Sequence, residues 1–326
     1  MWRTAEFVSP KHPDKICDRI SDKVLDYCIG LDPNARVAIE TMGGHGSIYV
    51  NGEITMKSTT TIPVPHLVEE VLETTDYLQS TQVNIVQQSP EISRGVDTGG
   101  AGDQGIMVGY ACDENDEYVP EEYRLSRSLC RHLYDKFPYD GKTQVTTRDD
   151  RNIFVVTSFQ NVDRVTLHNE VSEWLKTEDY GLMLTHANPA GDWTQGGFDA
   201  DAGLTGRKLV VDNYGPRVPI GGGAYSGKDP SKVDRSAAYM ARHIAVEELK
   251  RKGLKECYVY LSYAIGEKEP LQMTVHTPDK FDNTWDIPSH YPVYPNEIIE
   301  FLDLKKPIYY ETSQWGAYGN GFKWDK

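Results

Sequence analysis

Two or more strand-like runs precede each amphipathic helix in this chain, and the succession recurs three times over. Such an order does not suit a doubly wound parallel sheet, where each strand is followed by its own helix. It predicts an α+β fold of three similar sheet-plus-helix units: an N-terminal one over 1–89, a central one over 102–186 and a C-terminal one over 188–326.

The elements come from periodicity. In HPDKICDRISDKVLDYCIG, Ile16, Ile20, Val24 and Cys28 recur every four residues, while Asp14, Asp18, Asp22 and Asp26 mark another face. Pro13 suits the first helical position and Gly30 the stop. ARVAIETM and GSIYVNGEITMKSTTTI read as strands, the second a hairpin turning at Asn51-Gly52. PHLVEEVLETTDYL, EEYRLSRSLCRHLYDKF, TLHNEVSEWLKT and PSKVDRSAAYMARHIAVEELKRKG read as helices, the last with Asp229 as N-cap ahead of Pro230. TQVNIVQQS, IMVGYACD, KTQVTTRD, NIFVVTSFQ, RKLVVDNY, ECYVYLSYAIG and LQMTVHT read as strands, and NEIIEFLDL as a short helix.

A formal charge of −15 disfavours nucleic acid and anionic lipid as partners. A polyanionic ligand then needs a local concentration of Lys and Arg. No run of about 18 apolar residues suggests a membrane span, and the first residues lack the apolar core of a secretory signal, so a cytoplasmic location is expected. The five cysteines form no C-x-x-C pair and their odd number argues against a disulfide framework.

Four places gather chemistry. GGGAYSGKDPSK fits the G-x-x-x-x-G-K frame of a phosphate loop, but Asp229 stands where Ser or Thr is needed. About seven residues also separate the loop from the LVVDNY run, whereas a P-loop springs directly from a strand. The other three are His12-Pro13-Asp14-Lys15 at a helix start, GGAGDQG with Asp103, and DADAGLTGRK with Asp201 ahead of Arg207 and Lys208. A helix N-terminus carries free N–H groups that attract anions, and basic residues beside one point to an anionic ligand. Lys228, Lys232 and Arg235 bracket a second helix start, with Asp234 among them.

HPDKICDRISDKVLD, GAGDQGIMVGYA, GLTGRKLVVDNYG and GGGAYSGKDPSKVDRSAAYMARHIA together resemble the motifs of the methionine adenosyltransferases, or S-adenosylmethionine synthetases. The resemblance runs from Glu6 to YYETSQWGAYG. It implies three α+β units about a pseudo-threefold axis. It also implies synthesis of S-adenosylmethionine from ATP and L-methionine, with phosphate and pyrophosphate released. The implied roles are His12 at C5′ of ATP, and Lys142, Arg207, Lys208 and Lys228 on the polyphosphate. Asp14 and Asp234 would bind Mg²⁺, two ions per site, and Glu40 would bind K⁺ with Ala224 nearby. Glu53, Gln88, Asp201 and Lys232 would place methionine, with Asp201 also on ATP. Asp103 belongs to the adenosine region, and Trp193 matches an adenine-stacking aromatic that is usually Phe. A homodimer with shared active sites, or a tetramer, is implied as well.

The chain departs from the family pattern in places. Pro10-Lys11 replaces Glu-Gly, and Asp192 stands where Arg is usual. The loop between Gln88 and Gly102 is short, predicting a more open gate. The segment between VHT and NEIIEFLDL lacks room for a helix the family carries. The alternative function is a non-catalytic nucleotide-binding relative.

Overall fold

The computed structural model describes residues 1–74, 76, 78–88, 99–149, 151–278 and 283–326. In chain order the elements are β1 (Trp2–Val8), α1 (Pro13–Leu31), β2 (Arg36–Gly44), β3 (Ser47–Thr55), α2 (Val64–Leu72), β4 (Thr81–Val86) and β5 (Gly105–Cys112). They continue with α3 (Glu121–Lys136), β6 (Gly141–Arg148), β7 (Asn152–Phe159), α4 (Arg164–Leu175), β8 (Gly181–Ala187), β9 (Gly203–Leu204) and α5 (Leu209–Asp212). The chain closes with α6 (Val233–Lys252), β10 (Glu256–Tyr263), β11 (Gln272–Thr277), β12 (Asn283–Asp286), α7 (Pro295–Phe301) and α8 (Tyr309–Thr312).

Three four-stranded sheets result, in the orders β1-β6-β7-β8, β4-β3-β2-β9 and β12-β11-β10-β5. Each takes one strand from a distant stretch of sequence: β1, β9 and β5 respectively. One long helix covers the inner face of each, α3 on β1 and β6, α1 on β2, α6 on β5 and β10. Alternation does the work: along β2, Val37, Ile39 and Thr41 are buried while Glu40 and Met42 face out. The second residue of every long helix is an acid holding a cation from a loop. Asp14 pairs with Lys208 at 2.6 Å, Glu122 with Arg217 at 2.9 Å, and Asp234 with Lys228 at 2.6 Å. The three units thus repeat a charge motif as well as a topology.

Parallel fourth strands need a crossover. In the first two sheets α4 precedes β8 and α2 precedes β4, and both strands lie parallel to their neighbours. Between β11 and β12 there are too few residues for that, and the pair is antiparallel. The short connection read from the sequence here thus goes with an antiparallel fourth strand.

Several local expectations are corrected. Asn51-Gly52 is not a turn: β3 runs straight through it, opposite Glu40 and Ile39. The hairpin turns instead at His45-Gly46, whose φ values of 52° and 83° are both left-handed, as a two-residue type I′ turn requires. Gly52 is needed for a different reason, since a Cβ there would meet the Ala38 carbonyl oxygen at 1.9 Å. RKLVVDNY is not a strand; Leu209–Asp212 forms one helical turn, drawn in by the bond from Lys15 Nζ to Asp212 Oδ1 at 2.6 Å. Asp229 does not cap α6, whose N-cap position is Lys232. Its carboxylate closes the turn before the helix by accepting from Ser231 N at 2.9 Å, and ties it to β2 by accepting from Val37 N at 2.7 Å. Gly30 lies inside α1, which stops at Asp32. Strands β1, β8, β9 and β12 had no counterpart in the sequence reading. The short gate falls largely on residues 89–98, outside the described residues.

Candidate active site

The N-terminus of α1 organises the first group of residues. His12 is the N-cap, its Nδ1 accepting from Asp14 N at 3.2 Å. Asp14 is buried; its Oδ1 accepts from Leu204 N at 3.0 Å, its Oδ2 from Lys208 Nζ at 2.6 Å. Arg207 Nε lies 3.6 Å from Oδ1. Burial pulls the Asp14 carboxyl upward, but the Lys208 and Leu204 bonds outweigh it and hold it below the usual range. Lys142 projects from the outer face of β6, its ammonium 2.7 Å from Glu6. Burial, reinforced by Lys208 and Lys142, lowers the His12 imidazole to about 4. Asp201 also lies close enough to act on His12.

A neutral His12 has a measurable consequence. Its folded value lies below the 6.5 of a free imidazole, so the unfolded chain binds the proton more readily. The fold therefore loses stability as pH falls from 6.5 toward 4 and gains none above 6.5. We expect an NMR titration of the His12 ring to show a midpoint near 4; a midpoint at the free value would contradict the buried, cation-flanked placement.

Trp193 lies on the 188–197 segment beside this group. Its indole Nε1 donates to Asn188 Oδ1 at 3.3 Å, and its carbonyl accepts from Asn161 N. Asp192 accepts from Arg164 N at 2.9 Å, so it supports α4.

The second group surrounds the N-terminus of α6. Lys228 Nζ donates to Asp234 Oδ2 at 2.6 Å, and Gly223 N to Asp234 Oδ1 at 3.1 Å. Glu40 stands exposed on β2, within electrostatic reach of Lys228. Ala224 lies against Gly206, where a Cβ would approach it to 2.7 Å, so the two cation loops touch. Gly227 has φ +79° and its N–H is held by Asp22 at 2.8 Å.

The third group gathers around Glu53 on β3, opposite Ala38. Gln88 is buried, its N–H donating to Thr55 Oγ1 at 3.2 Å, while its Oε1 has no partner among the described residues. Lys232 is committed to Asp229. Asp103 accepts from Gln104 N at 2.8 Å, and the next-door Gly102 N donates to Ser231 O. A cavity of about 410 Å³ lined by Thr55, Val86 and Gln87 opens beside this group. Among the described residues, Asp201 makes no hydrogen bond or ion pair with Glu53, Gln88 or Lys232.

Sequence reasoning missed residues whose importance is tertiary. Asp140 accepts from Gly197 N at 2.9 Å beside Lys142, and burial pushes its carboxyl up to about 6. Lys15, read from the sequence as a donor for an anion at the start of α1, is instead fully buried between Asp212 at 2.6 Å and Asp18 at 3.1 Å. Burial pushes Asp18 upward against the pull of Lys15. The D-G-K triplet of Asp140 to Lys142 was the available signal for Asp140; nothing local marks Lys15 as buried.

Among the described residues no helix is long and apolar enough to cross a membrane. The chain matches the S-adenosylmethionine synthetase N-terminal domain over residues 1–98, the central domain over 98–180 and the C-terminal domain over 195–326. It is 38% identical to S-adenosylmethionine synthase 1 of Rhodospirillum rubrum over 370 aligned positions, covering 99% of this chain and 95% of that protein. It is 39% identical to the S-adenosylmethionine synthase of Myxococcus xanthus, covering 99% and 92%, and 38% identical to that of Staphylococcus epidermidis, covering 97% and 92%. The alignments exceed the 326 residues of the chain, so these relatives carry segments it lacks. Three matched domains, in order, on a framework of three similar sheets identify the chain as a member of the S-adenosylmethionine synthetase family.

Proposed function

We propose that this enzyme makes S-adenosylmethionine from ATP and L-methionine. The methionine sulfur attacks C5′ of ATP in line; the S–C5′ bond forms as the C5′–O bond breaks and triphosphate leaves. A thioether needs no general base, which accords with a neutral His12. The barrier lies in charge gathering on the leaving group, which fixed cations offset. Arg207, Lys208, Lys142 and Lys228 are those cations. Water then cleaves the bound triphosphate to phosphate and pyrophosphate, again by positioning and charge neutralisation.

One observation carries the reading: in an acidic chain, Asp14–Lys208 and Asp234–Lys228 form matching pairs at the starts of α1 and α6, on loops that touch. Each carboxylate presents hard oxygen donors, and one or two carboxylates beside phosphate oxygens is how Mg²⁺ is usually held. The residues thus fit a metal ion at Asp14 and another at Asp234, with K⁺ at Glu40, supplying further positive charge against the triphosphate. Lys208 and Lys228, released from their carboxylates, would then turn to phosphate oxygens. Trp193 stacks on adenine, with Asp103 and Ala224 on the nucleotide, while Glu53, Gln88 and Lys232 hold methionine. Because Asp201 bonds to none of those three among the described residues of one chain, we place the complete site across a homodimer, where Asp201 of one protomer meets Glu53, Gln88 and Lys232 of its partner.

Incubation with ATP, methionine, Mg²⁺ and K⁺ is expected to yield the sulfonium product with equimolar phosphate and pyrophosphate, all dependent on methionine. Hydrolysis of ATP without methionine, or no product at all, would refute the reading. Trp193→Ala should raise the KM for ATP about tenfold or more, the scale of a lost base–aromatic stack.

A further inference from the structure

Most of the acidic face of α1 is withdrawn from water. Asp14, Asp18 and Asp22 are buried, and the aspartates stand four residues apart, each accepting backbone N–H groups from the C-terminal half of the chain. Asp14 takes Leu204 N at 3.0 Å, Asp18 takes Gly206 N at 2.8 Å, and Asp22 takes Gly227 N at 2.8 Å. Asp26 takes Tyr309 N at 3.0 Å and Tyr310 N at 2.9 Å. Two of these anchors share a form. Gly206 and Gly227 have φ values of 80° and 79°, and each immediately precedes a cation, Arg207 and Lys228.

We infer that Asp18 and Asp22 are positioning residues that set the distance between the two cation loops. Resting on the function proposed above, the device matters because a triphosphate has one length. The anchors at Gly206 and Gly227 hang from carboxylates one helical turn apart, about 6 Å along the axis. A rigid helix therefore fixes the spacing of Arg207 and Lys208 against Lys228 before any ligand arrives. Leu204, Thr205 and Gly206 are all tied down, Thr205 through its hydroxyl to Ser21 at 2.8 Å and its accepting bond from Thr41 N at 2.9 Å. Lys15, between Asp18 and Asp212, locks the turn that follows Lys208. Asp26 uses the same chemistry on a segment that carries no cation after it, and so serves as an internal control.

The test compares substitutions in the intact enzyme, reading Mg-tripolyphosphate binding by calorimetry, kcat per folded molecule, and the urea midpoint. Asp18→Ala removes the acceptor for Gly206; kcat and tripolyphosphate affinity should fall about 10²-fold, the scale of an ångström's misplacement. Asp18→Asn keeps an oxygen for Gly206 but turns its amide NH2 toward Lys15, so it should fall between Asp18→Ala and wild type, with Lys15 retaining Asp212. Asp26→Ala should lower the urea midpoint while leaving tripolyphosphate affinity and kcat unchanged. The inference is overturned if Asp18→Ala behaves like Asp26→Ala, or if Asp18→Asn is as impaired as Asp18→Ala. Should Asp18→Ala not fold, Asp18→Glu keeps the charge but moves the acceptor by one methylene, and wild-type affinity in it would overturn the inference equally. Tripolyphosphate binding decides the question even if wild-type enzyme forms no sulfonium product, so failure of the proposed reaction is read separately.

Discussion

Lys228→Met should lower S-adenosylmethionine formation by about 10²- to 10³-fold, the loss seen when one preorganised donor is taken from a developing anion. The side chain sits at the meeting of two demands. It neutralises Asp234 at 2.6 Å, and its own backbone is fixed by the Gly227 anchor and a bridge to Ala38. Methionine is apolar and of similar length, so the change removes charge with little loss of volume. Asp234 keeps the Gly223 amide and is only one-twentieth exposed, so part of the cost falls on stability. Steady-state kinetics separates the two: kcat per folded molecule should fall while the KM for methionine changes little. Turnover at the wild-type rate would show that the triphosphate does not depend on this cation.

Asp22→Ala is expected to give the largest stability loss. Arg235 donates to both Asp22 oxygens, at 2.7 and 2.8 Å, and both side chains are almost completely buried. Removing one member strands a guanidinium in the interior, at a cost of about 3–5 kcal/mol. The Gly227 N–H loses its acceptor in the same step. Stacking over Tyr309 and the bond to Tyr239 Oη soften the loss but bring no compensating charge. Urea unfolding should show a lower midpoint with an unchanged slope. A midpoint within a few tenths molar of wild type would mean that water reaches Arg235 freely.

Much of this molecule can be read from residue patterns. Four-residue periodicity marked α1, and α3, α6, β2, β6, β7 and β10 were also read with the right type. Where the reading failed, long-range contact overrode local preference. Leu209–Asp212 has the composition of a strand, yet Lys15 draws Asp212 inward and closes a helical turn. Asn51-Gly52 has the composition of a turn, yet the true turn employs His45 in a left-handed conformation. Strand β8 leaves Met183, Leu184 and His186 exposed and β12 is four residues long, so neither leaves a clear pattern.

Charge was the harder matter. The aspartates of α1 look like a solvated face, and only the fold shows amides from three separate segments reaching them. The family motifs gave the cations and Asp14 and Asp234. They gave no hint that Asp14–Lys208, Glu122–Arg217 and Asp234–Lys228 are one arrangement used three times, because these pairs lie far apart along the chain.

The antiparallel strand β12 bears on how the protein assembles. The elements α6, β10, β11 and β12 follow one another along the chain from Val233 to Asp286, with each strand beside its sequence neighbour. Forming this stretch closes only short loops, whereas β1 and β9 must each wait for partners more than a hundred residues away. This sequence-local sheet is thus the best placed to acquire structure first, offering β5 a ready edge on which to dock.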